Sequence, residues 1–154
     1  MPEHAPPPAP PVLFGQALGE AYRRAHALHL RLLEREDCSF VEWVVLNSIA
    51  VGTGAVPAED LAAQLAEELS INAVQVEAVV SALRSSGRLE VVDVDGVRCL
   101  ELSDRGRADH QRVRETIQRA SAEMLGSFDP AEIATTVKVL TAVRERAPLV
   151  ATGS

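Results

Sequence analysis

The sequence predicts a mainly α-helical chain carrying one small β-hairpin, and three observations lead there. Apolar residues recur at three- and four-residue steps over most of the chain, the period of a helix with one buried face. Helix-capping patterns punctuate it at close intervals. Only one stretch, residues 89–102 (LEVVDVDGVRCLEL), is valine-rich with partial alternation.

Taken in order, the chain opens on MPEHAPPPAPP, which holds six of its nine prolines. Proline donates no backbone hydrogen bond and fixes its own torsion, so residues 1–11 are expected to be an extended tail. From 12 to about 37, Leu18, Ala21, Tyr22, Ala25, Leu28, His29 and Leu32 fall on one helical face. Ser39 and Glu42 form a capping box ahead of the apolar run WVVLNSIA, and Gly52 and Gly54 end that second helix. Pro57 opens a third, and Ser70 or Asn72 caps a fourth that Gly87 stops in a left-handed conformation. Asp95-Gly96 marks a tight hairpin turn. Ser103 then caps a long fifth helix to about Leu125. Asp129-Pro130, with Glu132 following, starts a sixth.

Composition bounds the function. Of 154 residues, 47% are hydrophobic and 24% charged, which excludes disorder over the whole length and suits one domain. No apolar run approaches the roughly 18 residues of a membrane span, so a soluble protein is expected. A secretory signal is not apparent, and a cytoplasmic protein with reduced thiols is expected. Two cysteines, Cys38 and Cys99, do not make a disulfide scaffold. A net charge of −7 argues against a generic polyanion binder, and 3% aromatics against a stacking platform for single strands.

A short helical triplet followed by a two-stranded hairpin is the layout of a winged helix-turn-helix. The long flanking helices need a second surface for their apolar stripes, and a two-fold dimer supplies it. Over 12–147 the sequence resembles the MarR family of bacterial regulators. SFVEWVVLNSIA matches the second helix, DLAAQL the third, VVSALRSSGRLE the recognition helix running into the hairpin, and LSDRGRAD the start of the fifth. The resemblance implies a winged lobe at about 39–102, dimerisation helices at about 12–37 and 103–147, and a C-terminal tail at 148–154. It also implies an obligate dimer, DNA binding through the fourth helix and wing, and release by a small phenolic or other lipophilic ligand.

Against that pattern, Ala73 and Ala78 stand where the family often has arginine, the commonest reader of guanine. Glu77 adds an anion, the turn before the helix is about four residues longer, and Arg98 is the hairpin's one cation. Between 57 and 104 there are ten acidic and three basic residues, a net −7 that would repel a duplex. The residues suited to meet DNA are Asn72, Gln75, Arg84 and Arg98, with Arg88 as a phosphate contact at the helix-to-hairpin junction.

The family's ligand pocket lies between the lobes, lined by the first, second and fifth helices. Its counterparts here are Tyr22, Arg23, His26, His29, Trp43 and His110. Three readings of the histidines compete: packing residues satisfied by one hydrogen bond, groups orienting an anionic or phenolic ligand, or a metal site. In the last, His26-x-x-His29 would be completed by His110, Cys38 or Glu42. Trp43 is also where the family prefers tryptophan for packing. Asp37 beside Cys38 disfavours the thiolate, so both cysteines are read as structural. No nucleophile elbow, phosphate loop, cofactor fingerprint or acid pair is visible, and no catalytic residue, cofactor or metal is expected. The sequence is thus read as a dimeric, ligand-responsive transcriptional regulator whose partners are itself and duplex DNA, with no membrane. The alternative is a protein of the same fold that has lost DNA binding and binds or transforms a small molecule by pocket acid–base chemistry.

Overall fold

A computed structural model describes the backbone of residues 11–52 and 54–152, and the side chains of 13–52 and 54–148. The Pro-rich tail expected at 1–11 lies outside it except for Pro11, which begins the first helix. Among the described residues the order is α1 (Pro11–Arg35), α2 (Phe40–Val51), β1 (Val56–Pro57), α3 (Ala58–Leu69), α4 (Ala73–Ser85), β2 (Leu89–Val94), β3 (Val97–Leu102), α5 (Asp104–Leu125) and α6 (Pro130–Thr152). No helix among them is long and apolar enough to cross a membrane.

The chain divides into two units, Met1–Thr116 and Ile117–Ser154. The boundary falls within α5, so α1 groups with the winged lobe rather than with α6. In the first unit the core is aliphatic: Leu33, Leu46, Leu61, Leu65, Leu83 and Leu100 are each at most 1% exposed. Burying such a side chain contributes about 1.5–3 kcal/mol, and each comes from a different turn of α1–α4 or from β3. The register Leu89↔Leu102 to Val94↔Val97 pairs β2 with β3, and the turn residues Asp95 and Gly96 both have positive φ.

The sheet has a third strand that the sequence does not announce. β1 pairs antiparallel with β3, Val56 opposite Leu100 and Pro57 opposite Cys99, giving the order β1-β3-β2. Two residues are too short to show alternation, and proline is tolerated because β1 lies on an edge. Pro57 occupies the N-cap of α3 rather than its first turn. Ser70 takes a left-handed conformation at the end of α3, and Asn72 is the cap of α4.

Ser103 joins the hairpin to α5. Its hydroxyl donates to the Gly87 carbonyl (2.6 Å) and accepts the Gly106 N–H (2.9 Å), while its own N–H donates to the Arg88 carbonyl (3.1 Å).

In the second unit Asp129 caps α6: its carboxylate accepts the Ala131 N–H at 2.7 Å, and Glu132 reaches back to the Asp129 N–H at 3.1 Å. The tail expected from 148 is instead helix, since α6 continues through Pro148 to Thr152. Near a helix end, proline removes one intrahelical bond without closing off the turn that follows.

Candidate functional site

Local sequence rules position the groups of the first candidate site. Tyr22, His26 and His29 follow one another by four and three on α1, which stacks them along one stripe. The Ser39 hydroxyl accepts the Glu42 N–H (3.2 Å), and the Glu42 carboxylate accepts the Ser39 N–H (2.8 Å). That closed box sets the start of α2, and with it the angular positions of Phe40 and Trp43. His110 comes from α5.

These rings form a continuous run. Tyr22 stacks on His26 (centroids 5.5 Å), and His26 and His29 both meet Phe40 edge-on (5.1 and 5.9 Å). His29 meets Trp43 at 6.4 Å, and Trp43 lies flat on His110 at 5.1 Å with 10° between the planes. His110 Nε2 lies 3.1 Å from Asn47 Oδ1. An amide oxygen only accepts, so the ring proton sits on Nε2. Burial, and then the charge of His26, holds His29 below the usual imidazole range. His110 is lowered likewise, by burial and then by Arg114. Both rings are therefore neutral at pH 7. His29 Nε2 is buried without a hydrogen-bond partner. Arg23 is exposed on α1, outside this run of rings.

Beside His110 a cleft of about 490 Å³ opens between the end of α2, the end of β3 and α5. Ile49, Ala50 and Leu102 give it an apolar wall; Glu101, Arg107 and Arg114 also line it, and the Arg107 guanidinium is held by Asp104 at 2.8 Å. Among the described residues no three histidine, cysteine or acidic side chains are arranged to hold a metal ion. The buried Cys38 thiol is pushed up to about 11, by burial first and Glu42 second, so it stays protonated and unreactive at neutral pH.

The second candidate site is the face formed by α4 and the hairpin. Asn72 Oδ1 accepts the Gln75 N–H, and Gln75 Oε1 accepts the Asn72 N–H, both at 2.9 Å. These two expected DNA contacts thus close a capping box on the helix they begin. Arg98 of β3 pairs with Glu77 of α4 at 3.2 Å, and Arg84 stands exposed in the last turn of α4. Arg88 lies elsewhere. Its side chain is 13% exposed and held by Asp109 (2.9 Å) and Glu42 (3.7 Å). Arg112 extends the network to Asp109 (2.7 Å) and Glu36 (2.9 Å), and Thr116 donates to Glu36 (2.7 Å). Burial works against the Asp109 charge, but hydrogen bonds from Arg112 and Arg88 outweigh it and lower its pKa. Arg88 therefore ties the wing's base to α2 and α5.

Sequence reasoning missed Phe40, which joins His26 to His29, and Asn47, which fixes the His110 tautomer. A lone amide inside the apolar run WVVLNSIA was the available signal for Asn47. Phe40 gave none, being one apolar residue at a helix start.

No family model and no curated protein matches this sequence. Solved structures do match it. A MarR family transcription regulator superposes with a TM-score of 0.78 at 18% identity, covering 93% of each chain. A MarR family protein from Bacillus stearothermophilus gives 0.75 at 17% identity, over 89% of this chain and 94% of that one. The ligand-free organohalide-sensing regulator RdhR gives 0.68 at 19% identity, over 91% and 83%. At such identity the likeness establishes the fold, and the fold is the MarR winged helix with long flanking helices.

Proposed function

We propose that this chain is a dimeric transcriptional regulator of MarR type whose DNA binding responds to a small lipophilic or phenolic ligand. The observation that carries the reading is the solvent-facing start of α4. Residues 72–75, 77 and 78 are exposed there beside the exposed hairpin tip, the arrangement in which a winged helix presents itself to a groove. Asn72, Gln75 and Arg84 would meet the duplex, with Arg98 joining them on leaving Glu77. The likeness to regulators over about nine-tenths of the chain supports this.

The ligand's place is the cleft beside His110. A neutral imidazole, an apolar wall and the side chain of Arg114 suit a phenol or a small aromatic anion. Exposed apolar side chains support the dimer: Leu13 and Phe14 on α1, and Phe128, Val137 and Leu140 in the second unit. The reading places the protein in the cytoplasm.

A mobility-shift titration with a random-sequence duplex pool at low and moderate salt, followed by selection of bound sequences, tests it. The expected result is binding that weakens with salt and enriches a palindrome. No shift at low salt overturns the DNA-binding part. A second reading, a MarR-fold protein working through the cleft alone, is favoured by one observation: the DNA-facing lobe carries a net −7 between 57 and 104. Binding or conversion of a small molecule by protein that ignores DNA is the result expected from it.

A further inference from the structure

We infer that the groove between α3, the start of α4 and the hairpin tip docks a cationic amphipathic segment of a partner protein. This goes beyond the regulator reading and shares its face, the start of α4 and the hairpin tip, so that such a segment and a duplex would exclude one another there. The groove encloses about 960 Å³. Ala73, Val74 and Val97 are among its apolar lining, and Glu59, Asp60 and Glu77 line it with carboxylates.

Two observations select the occupant. Val74 is 78% exposed and Val97 49%, although α4 already turns Val76, Val80 and Leu83 into the core. Branched aliphatic side chains left in a concave, polar-rimmed surface mark a docking site rather than a packing need. The charge is one-sided: Arg98 is the single cation lining the groove, and Glu77 already holds it at 3.2 Å. Asp93 and Asp95 at the hairpin extend the acidic field. A segment with an apolar stripe flanked by lysine or arginine matches both features, as a helix laid in a groove does. A duplex at the same face would gain in charge only from Arg84 and Arg98 and would meet these carboxylates.

Calorimetric titration of the full chain tests this, using a synthetic amphipathic helix of lysine and leucine as the probe. Polylysine and a glutamate–leucine helix serve as controls, and the random-sequence duplex is a parallel arm. The expected result is saturable, salt-weakened binding of the lysine–leucine helix with one peptide per groove. It should be tighter than polylysine, with no binding of the glutamate–leucine helix. Neutralising the rim (Glu59→Gln, Asp60→Asn, Glu77→Gln) is expected to weaken it roughly tenfold, three exposed pairs each contributing modestly. Val74→Ser is expected to weaken it several-fold, on the order of one lost apolar contact. All four positions are exposed, and an unchanged circular dichroism melt confirms that the variants fold. Lysine–leucine binding no tighter than polylysine, or binding indifferent to these substitutions, overturns the inference. Duplex binding strengthened by the same substitutions, without peptide binding, also overturns it and returns the face to the regulator reading. Peptide binding without duplex binding supports the inference while the DNA-binding part of that reading fails.

Discussion

Gly106 is placed where no other residue fits. A Cβ on it would overlap the carbonyl oxygen of Arg88, the group to which Ser103 donates its N–H. Gly106→Ala is therefore expected to cost about 1–3 kcal/mol of stability, read as a lower urea midpoint at unchanged slope. His29 and His110 make a second residue-scale prediction. The fold holds both below the imidazole's ordinary 6.5, so the unfolded chain binds their protons more readily. Their contribution to stability is complete above that value and declines as pH falls through the lowered folded-state values. Urea midpoints measured from about pH 7.5 to about pH 5 should fall with acid, and the double variant His29→Leu, His110→Asn should flatten the profile. At this scale the sequence was legible where chemistry is local. The Ser39–Glu42 box was read directly, because its two partners lie three residues apart. Asn72 is one of the two caps expected for α4, yet Asn72 and Gln75 also suit base edges, and only geometry selects Asn72 and shows Gln75 closing the box on it.

Elements are joined here by contacts between distant positions, and these the sequence conceals. Glu36, Glu42, Arg88, Asp109 and Arg112 belong to the turn after α1, α2, the turn before β2 and α5, and only Asp109 and Arg112, three apart on α5, are linked by a short spacing. Its place at the helix-to-hairpin junction points Arg88 to phosphate, whereas the structure places it, 13% exposed, between Glu42 and Asp109. Arg88→Ala leaves Asp109 with Arg112 but strips the wing's base of its ion pair. The expected loss is about 2–4 kcal/mol, near the value for breaking a buried pair, measured by denaturant unfolding. Protein that still folds should keep the salt slope of any DNA binding it shows. A slope lowered by about one would instead mark Arg88 as a phosphate contact. β1 was hidden for a different reason, since pairing of two residues leaves no period to read.

For the whole molecule, the prediction concerns the apolar surface of the second unit. Phe128 and Val137 are each 56% exposed, and the proposed dimer would cover them. Phe128→Asp with Val137→Asp is expected to shift sedimentation from a dimer to a monomer, because a buried unpaired carboxylate is strongly unfavourable. A monomeric parent chain would overturn the dimer. The order of helices and hairpin was legible at this scale because each helix carries its own cap and stripe. The division of the chain within α5 was not, since a continuous helix shows no break in its pattern.

Trp43 is the chain's only tryptophan, and it lies flat against one histidine and meets another in a T-shaped contact. Indole emission is quenched by a neighbouring imidazolium and shifts in colour with the polarity around it. The indole thus reports from against His110, the ring that lines the cleft. Its brightness should follow the proton on His110, and its wavelength the arrival of a guest.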